Sequence, residues 1–170
     1  GDEKFAVIGN LPYNRSVDIL FHLFSMREFI TVMVLMFQRE VADRIAADRG
    51  GRQYGAVSVL SALYAEIRAV MRLSPEDFKP KPDVHSTVLE FRILERTALE
   101  KSDEAGFSRF VHDAFMYKRK TLINSLRIST GIEAEKLRDL ISGAGIDPGT
   151  RAEELSLDDF LSLYKEWRIF

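Results

Sequence analysis

The sequence predicts an α/β sheet over residues 1–97 followed by a small all-α domain over residues 98–170. Three observations carry that prediction. Two apolar, β-branched runs, Phe5 to Ile8 and Ile30 to Phe37, flank a stretch of helical spacing, which makes one crossover of strand, helix and strand. Two further strand-like stretches, Ala65 to Leu73 and Val84 to Ile93, are joined by a segment stiffened by Pro75, Pro80 and Pro82. From Phe107 onward the apolar residues recur only at helical spacing.

Phe5 to Ile8 reads as a short buried strand that Gly9, Asn10 and Pro12 end, so Asn10 to Tyr13 arrive at its carboxyl end. In open α/β sheets ligands sit along that edge. Ser16 is the expected N-cap of a helix whose apolar positions are Val17, Leu20, Phe21 and Phe24. Ile30 to Phe37 is expected to be buried on both faces of a parallel sheet. Arg39 to Ala47 follows as an amphipathic helix broken by Gly50-Gly51-Arg52, and these glycines, lacking a Lys-Ser/Thr sequel, read as a plain loop. Tyr54 to Tyr64 fits a helix or a strand by period alone. In Ala65 to Leu73 the charges Glu66, Arg68 and Arg72 are expected to alternate outward. Val84 to Ile93 alternates Ser86, Val88, Glu90 and Arg92 with Thr87, Leu89, Phe91 and Ile93, a strand with one better-buried face.

Leu94 to Ser102 is a charged connector. Beyond it Phe107, Phe110, Val111, Ala114 and Phe115 form one helical stripe, which Leu122, Ile123 and Leu126 continue. Between them lies the basic triplet Lys118-Arg119-Lys120, either a solvated face or a phosphate contact. Glu133 to Ile141 is another helix, ended by Gly143. Ser156 and Asp159 approximate a capping box for the last stripe, Leu157, Phe160, Leu161 and Tyr164, with Leu155 able to pack on Phe160.

The tetrapeptide Asn10-Leu11-Pro12-Tyr13 suits methylation of the exocyclic amine of an adenine. That nitrogen is a poor nucleophile because its lone pair is delocalised into the ring. Accepting both N6 hydrogens, one with the Asn10 side-chain oxygen and one with the Leu11 carbonyl, holds the nitrogen nearer to tetrahedral. Pro12 restricts Leu11 to extended geometry and so fixes the direction of that carbonyl. Taking a base out of its stack costs a few kcal/mol, and stacking on a ring such as Tyr13 returns roughly 1–3 kcal/mol. The two are comparable, so the ring is needed. The plainer reading is a strand-ending turn, since Asn and Pro favour turns anywhere.

Four blocks in order resemble one family. Asn10-Leu11-Pro12-Tyr13-Asn14 with Ser16 resembles the adenine-site motif of the small-subunit ribosomal RNA adenine dimethyltransferases, the KsgA family. Gln38-Arg39-Glu40-Val41-Ala42 with Arg44, then Tyr54-Gly55 and Ser58-Val59, resembles its next helix pair, and favours a helix in Tyr54 to Tyr64. Phe78-Lys79-Pro80-Lys81-Pro82-Asp83-Val84-His85-Ser86 resembles its Phe-x-Pro-x-Pro-x-Val-x-Ser loop. Ala114-Phe115, Arg119-Lys120-Thr121-Leu122 and Asn124-Ser125-Leu126 resemble its carboxyl-terminal RNA-side helix. One step departs: Arg15-Ser16-Val17 stands where the family has an Ile-Ser-Thr-like run.

The resemblance implies the carboxyl-terminal half of a Rossmann-like, S-adenosylmethionine-dependent methyltransferase sheet followed by a small helical RNA-side domain. It implies a cytoplasmic enzyme that N6,N6-dimethylates adjacent adenosines of small-subunit ribosomal RNA during ribosome biogenesis. Asn10 and Leu11 would hold N6, Pro12 would set the turn, and Tyr13 and Phe78 would sandwich the base; Phe78 as a core anchor of its loop is the alternative. Lys118, Arg119 and Lys120 would grip RNA. Family members carry roughly a hundred residues before this motif, holding the glycine-rich turn and the acidic residue that bind the cofactor. The cofactor would therefore touch only Asn10 here, and the chain is expected to be inactive alone. Its apolar strand Phe5 to Ile8 would be an uncapped edge, inviting self-association or a co-purified fragment. The opening Gly-Asp-Glu-Lys, without a Met, fits a fragment or a processed product.

Net charge of −2 leaves any nucleic-acid footprint local rather than general. There are no cysteines, which excludes disulfides and thiolate metal sites. His22, His85 and His112 lack metal-ligand spacing, so no metal is expected and each reads as structural. No apolar run approaches the ~20 residues of a membrane span. Two other functions stay open: a macrolide-resistance-type methylase of large-subunit RNA, and a noncatalytic ribosome-assembly or RNA-binding module that has lost its cofactor. A methylase with an Asn-Pro-Pro-Tyr-like site is disfavoured by Leu11.

Overall fold

The computed structural model describes residues 3–169. They form two compact units: one is the chain up to Ala46 together with Tyr64–Thr97, the other Ala47–Leu63 together with the chain from Ala98 onward. The first holds β1 (Phe5–Asn10), α1 (Ser16–Ser25), β2 (Ile30–Gln38), α2 (Arg39–Ile45), β3 (Ala65–Leu73) and β4 (Ser86–Ile93). The strand order is β1-β2-β4-β3. β1 and β2 run parallel with α1 as their crossover, whereas β4 is antiparallel to both its neighbours.

One face of this sheet is the core of the unit. Met33, Leu35 and Phe37 of β2 stand opposite Phe91, Leu89 and Thr87 of β4, and the five apolar residues among them are at most 1% exposed. From α1, Phe24 reaches the sheet, its ring 5.9 Å from Phe91 and 5.0 Å from Tyr64. Burying side chains of this size contributes about 1.5–3 kcal/mol each, so these few positions dominate the unit's stability. The opposite face, which carries Ile8, Val34, Glu90 and Arg68 in register, is only partly covered.

Four sequence expectations change here. β1 reaches Asn10 but is not buried: Phe5 is 61% and Ile8 84% exposed, because among the described residues β1 has a neighbour on one side only. β2 lies between a parallel and an antiparallel strand, and its Val32 and Val34 are half-buried. Ser16 does not cap α1; its hydroxyl donates back to the Tyr13 carbonyl at 3.2 Å. In β3 the register shifts between Ala69 and Met71, so Arg72 pairs with Thr87 while Glu66 and Arg68 pair with Arg92 and Glu90. The extra residue of a bulge inverts the alternation, and Arg72 ends on the other face from Glu66 and Arg68.

The second unit holds α3 (Ala56–Ala62), α4 (Glu104–Phe115), α5 (Leu122–Thr130), α6 (Ala134–Gly143) and α7 (Leu157–Trp167). The stripe from α4 meets that of α7 as rings: Phe107 to Tyr164 at 5.3 Å, Phe115 to Phe160 at 5.6 Å and Phe110 to Phe160 at 6.4 Å between centroids. Edge and tilted pairs of this kind add about 0.5–1.5 kcal/mol beyond their buried area. The segment Ala47–Leu63, contiguous in sequence with the sheet strands, groups with these helices. Two bonds tie it there: Gly50 N–H to the Glu153 carbonyl at 2.8 Å and the Tyr54 hydroxyl to the Leu155 carbonyl at 2.9 Å. Burial pushes the Tyr54 phenol up to about 12. α6 runs through Gly143, and the left-handed residue that ends it is Gly145, with φ 76°. The capping box of α7 is complete, Asp159 N–H donating to Ser156 Oγ at 3.1 Å and Ser156 N–H to Asp159 Oδ2 at 2.8 Å.

Candidate active site

The site is built at the end of β1. Gly9 lies where a Cβ would stand 3.2 Å from Leu35 Cδ2 and 3.4 Å from Leu11 Cδ2, so the Leu11 side chain folds back over the strand toward the core face. Pro12 has φ −61° and ψ 125°, and its carbonyl accepts from Arg15 N–H at 3.0 Å, closing a one-turn 3-10 helix over Tyr13–Arg15. The strand pairing places Asn10 opposite Met36 and Met36 opposite Val88, on the less covered face of the sheet. Asn10 is exposed, and its carboxamide makes no hydrogen bond to a described residue. It is an amide at a strand end with its donors and acceptor free for a ligand.

The second contributor is the segment from Ser74 to His85. Ser74 N–H donates to Asp77 Oδ2 at 2.8 Å, which caps a short turn over Pro75–Asp77. Lys81 Nζ donates to Glu76 Oε1 at 2.7 Å and holds the Glu76 carboxyl below its ordinary range. The Lys79–Pro80 bond is cis. Phe78, at the end of that turn, is half-buried, its N–H bonded to the Pro75 carbonyl at 3.3 Å. At the far end Arg39 N–H donates to the His85 carbonyl at 2.9 Å. A cavity of about 290 Å³ belongs to the helical unit, and a polar one of about 230 Å³ lies here, lined by Gln38, Arg39, Glu40, Asp83, Val84 and His85.

The two segments meet through Tyr13 and Ser86, whose hydroxyls are 2.7 Å apart. Asn10, Leu11, Pro12 and Tyr13 therefore form one contiguous turn tied to the start of β4. Tyr13 and Phe78 are not in ring contact with each other. Lys118, Arg119 and Lys120 all stand exposed in the turn between α4 and α5, where Lys120 N–H donates to the Tyr117 carbonyl at 2.8 Å, and none of the three is paired with a described carboxylate. His22, His85 and His112 are all exposed rather than held in a core. Among the described residues no cluster of three or more His, Cys, Asp or Glu could hold a metal ion, and no helix is long and apolar enough to cross a membrane.

The profile of one protein family, ribosomal RNA adenine dimethylase, matches residues 1–168. The chain belongs to that family. Among its relatives, Ribosomal RNA small subunit methyltransferase A of Geobacter metallireducens is 42% identical over 164 residues, covering 96% of this chain and 60% of the relative. The protein of the same name from Syntrophotalea carbinolica is 43% identical over 159 residues, covering 94% and 60%. The chain thus spans about 60% of the length of these relatives. In fold, it superposes on the crystal structure of a dimethyladenosine transferase from Plasmodium falciparum with a TM-score of 0.84 at 24% identity, covering 96% of this chain and 66% of that one. The 23S rRNA methyltransferase ErmE gives a TM-score of 0.70 at 20% identity, covering 98% and 66%. The α/β sheet with following helices is therefore a methyltransferase fold of the Rossmann-like kind.

In the sequence of this dimethylase Ser86 stands out only as the last residue of the block from Phe78 to Ser86, with no role of its own. The structure adds that this polar side chain, on the outward alternation of β4, is 1% exposed.

Proposed function

We propose that this chain is part of an S-adenosylmethionine-dependent enzyme that dimethylates N6 of adjacent adenosines in small-subunit, 16S-type ribosomal RNA, a cytoplasmic step of ribosome biogenesis. The observation that carries the reading is the free carboxamide of Asn10 at the carboxyl end of β1, followed by a turn fixed through Pro12, Ser16 and Ser86, in a chain of the dimethylase family. Residues 1–97 would supply the catalytic part and residues 98–170 the RNA side.

Asn10 Oδ1 and the Leu11 carbonyl accept the two N6 hydrogens, drawing the lone pair out of conjugation. The same two oxygens offset the positive charge that develops on N6 as the new bond forms. The backbone there is anchored by the inward Leu11 side chain, so the acceptors do not have to be organised during the reaction. Tyr13 and Phe78 take the two faces of the base. S-adenosylmethionine, when bound, supplies an electrophilic methyl group; a free amide at a strand end fits its polar part, and of this chain's residues Asn10 would touch it. Lys118, Arg119 and Lys120 would bind phosphates of the RNA. The names borne by the relatives favour the small subunit over the large as the substrate.

The test is mass spectrometry of immature small subunits incubated with labelled S-adenosylmethionine and the longer protein that contains these residues. The expected product is dimethyladenosine at neighbouring positions, falling about 10²-fold in Asn10→Ala, the loss typical of misplaced reacting groups. Undiminished methylation in that variant would sink the reading. The 170 residues alone are expected to be inactive and to associate through β1, whose Phe5 and Ile8 are open to solvent. A clean monomer at high concentration in light scattering counts against the association.

A further inference from the structure

Ser86 opens β4 on the same face as Val88, Glu90 and Arg92, of which the first two are half-buried and the third exposed. Ser86 itself is 1% exposed. A small polar side chain buried on the more open face of a strand needs a cover, and the 2.7 Å contact with the Tyr13 hydroxyl identifies it. The two residues are 73 positions apart, and either oxygen can donate. Tyr13 is also held at its backbone, where the carbonyl accepts from Ser16 Oγ at 3.2 Å and Ser16 is 2% exposed. The ring is thus fixed at both ends, by one buried serine at its root and another at its tip.

A phenylalanine would offer a base the same flat face. The hydroxyl of Tyr13 therefore adds position rather than stacking area. We propose that Ser86 is a positioning residue of the adenine site: its bond to the Tyr13 hydroxyl sets the plane of the ring and ties the turn after β1 to the loop that carries Phe78. That loop runs from Ser74 to His85 and ends at Ser86, so one hydrogen bond sets the spacing of the two walls of the site. Productive sites hold such groups within about 0.5 Å and 10–20°. The proposal rests on the reading of Tyr13 as the stacking surface.

Two measurements test it on the chain itself. In the first, the ring carbons of residue 13 are labelled, as tyrosine or as phenylalanine, and their relaxation is measured in the parent, Tyr13→Phe and Ser86→Ala. A rigid ring in the parent and a clearly lower order parameter in both variants is expected; rings equally rigid in all three overturn the proposal whatever a ligand does. In the second, a short single-stranded RNA containing 2-aminopurine is titrated and its quenching followed, with melting temperature as the control for folding. Tyr13→Phe and Ser86→Ala are each expected to weaken binding about 2- to 10-fold, as loss of one hydrogen bond does, and the double variant no more than either single. Additive losses, or none, in the single variants alongside a strong loss in Tyr13→Ala overturn the role of Ser86 and leave the stacking reading intact. No loss in Tyr13→Ala overturns the stacking reading itself, and the proposal with it.

Discussion

Arg68 and Glu90 face each other across β3 and β4 with two parallel hydrogen bonds, Nε to Oε1 at 2.8 Å and the second guanidinium nitrogen to Oε2 at 2.9 Å. Arg92 adds a third to Oε1 at 2.8 Å. The Arg68 and Arg92 guanidiniums hold the Glu90 carboxyl down at about 2, from an ordinary 4.5. A depressed carboxylate contributes stability above its unfolded pKa and loses it as pH falls toward the folded one. Glu90→Gln should melt lower at pH 7 and show a shallower further loss between pH 4.5 and 2, read from melting temperatures across that window.

Gly106→Ala should destabilise the helical unit. A Cβ there would stand 2.2 Å from the Tyr164 hydroxyl and 3.3 Å from its Cζ, and Tyr164 is 5% exposed and packed on Phe107 and Phe110. Overpacking of this kind costs about 1–3 kcal/mol, more than the 0.5–1 kcal/mol that alanine gains over glycine in a helix. Chemical denaturation measures the difference.

Tyr54→Phe removes the hydroxyl that donates to the Leu155 carbonyl and should cost about 1 kcal/mol. Because burial raises the Tyr54 pKa to about 12 from 10.0, its contribution is intact below pH 10.0 and lost as pH rises toward 12. The parent should therefore lose more stability than the variant across that interval, as thermal melts in parallel would reveal.

Ser156→Ala deletes the side chain that receives Asp159 N–H at the start of α7. The expected loss is about 1 kcal/mol, with Ser156→Thr, which keeps the hydroxyl, near the parent. Equal melting of parent and alanine variant would deny the cap any weight.

Replacing Lys118, Arg119 and Lys120 together by alanine should lower RNA affinity without regard to sequence. At about 0.7 per phosphate contact on a single strand, the slope of log affinity against log salt should fall by about 2. A titration at four salt concentrations suffices, and an unchanged slope would assign the triplet to the solvated surface.

Much of the helical unit was legible because its signal is local. Phe107, Phe110, Val111, Ala114 and Phe115 announce one face of α4 by spacing, and all five are buried. The Ser156 and Asp159 pair is likewise a matter of three residues. What was not legible depends on partners distant in sequence. An apolar run such as Phe5 to Ile8 reads the same whether it has one neighbour or two, so its residues alone pointed to a buried strand, and only the resemblance marked it as an open edge. Nothing in Ala69-Val70-Met71 marks a bulge, yet it decides the face of Arg72. The grouping of Ala47–Leu63 with the helices rests on bonds such as Tyr54 to Leu155, 101 positions apart. Asn10 to Tyr13 stood out by residue type, whereas Ser86, noted only as the end of a loop block, gained a role when its bond to Tyr13, 73 positions away, was found.

The chain passes from one unit to the other three times, after Ala46, after Leu63 and after Thr97. Neither unit is therefore an uninterrupted stretch of polypeptide. A protease that nicks the connector near Thr97 would free no intact helical piece, since Ala47–Leu63 would stay behind on the other fragment. For the same reason a gene cut at that point would encode two incomplete halves, and neither part could be exchanged between proteins by a single recombination.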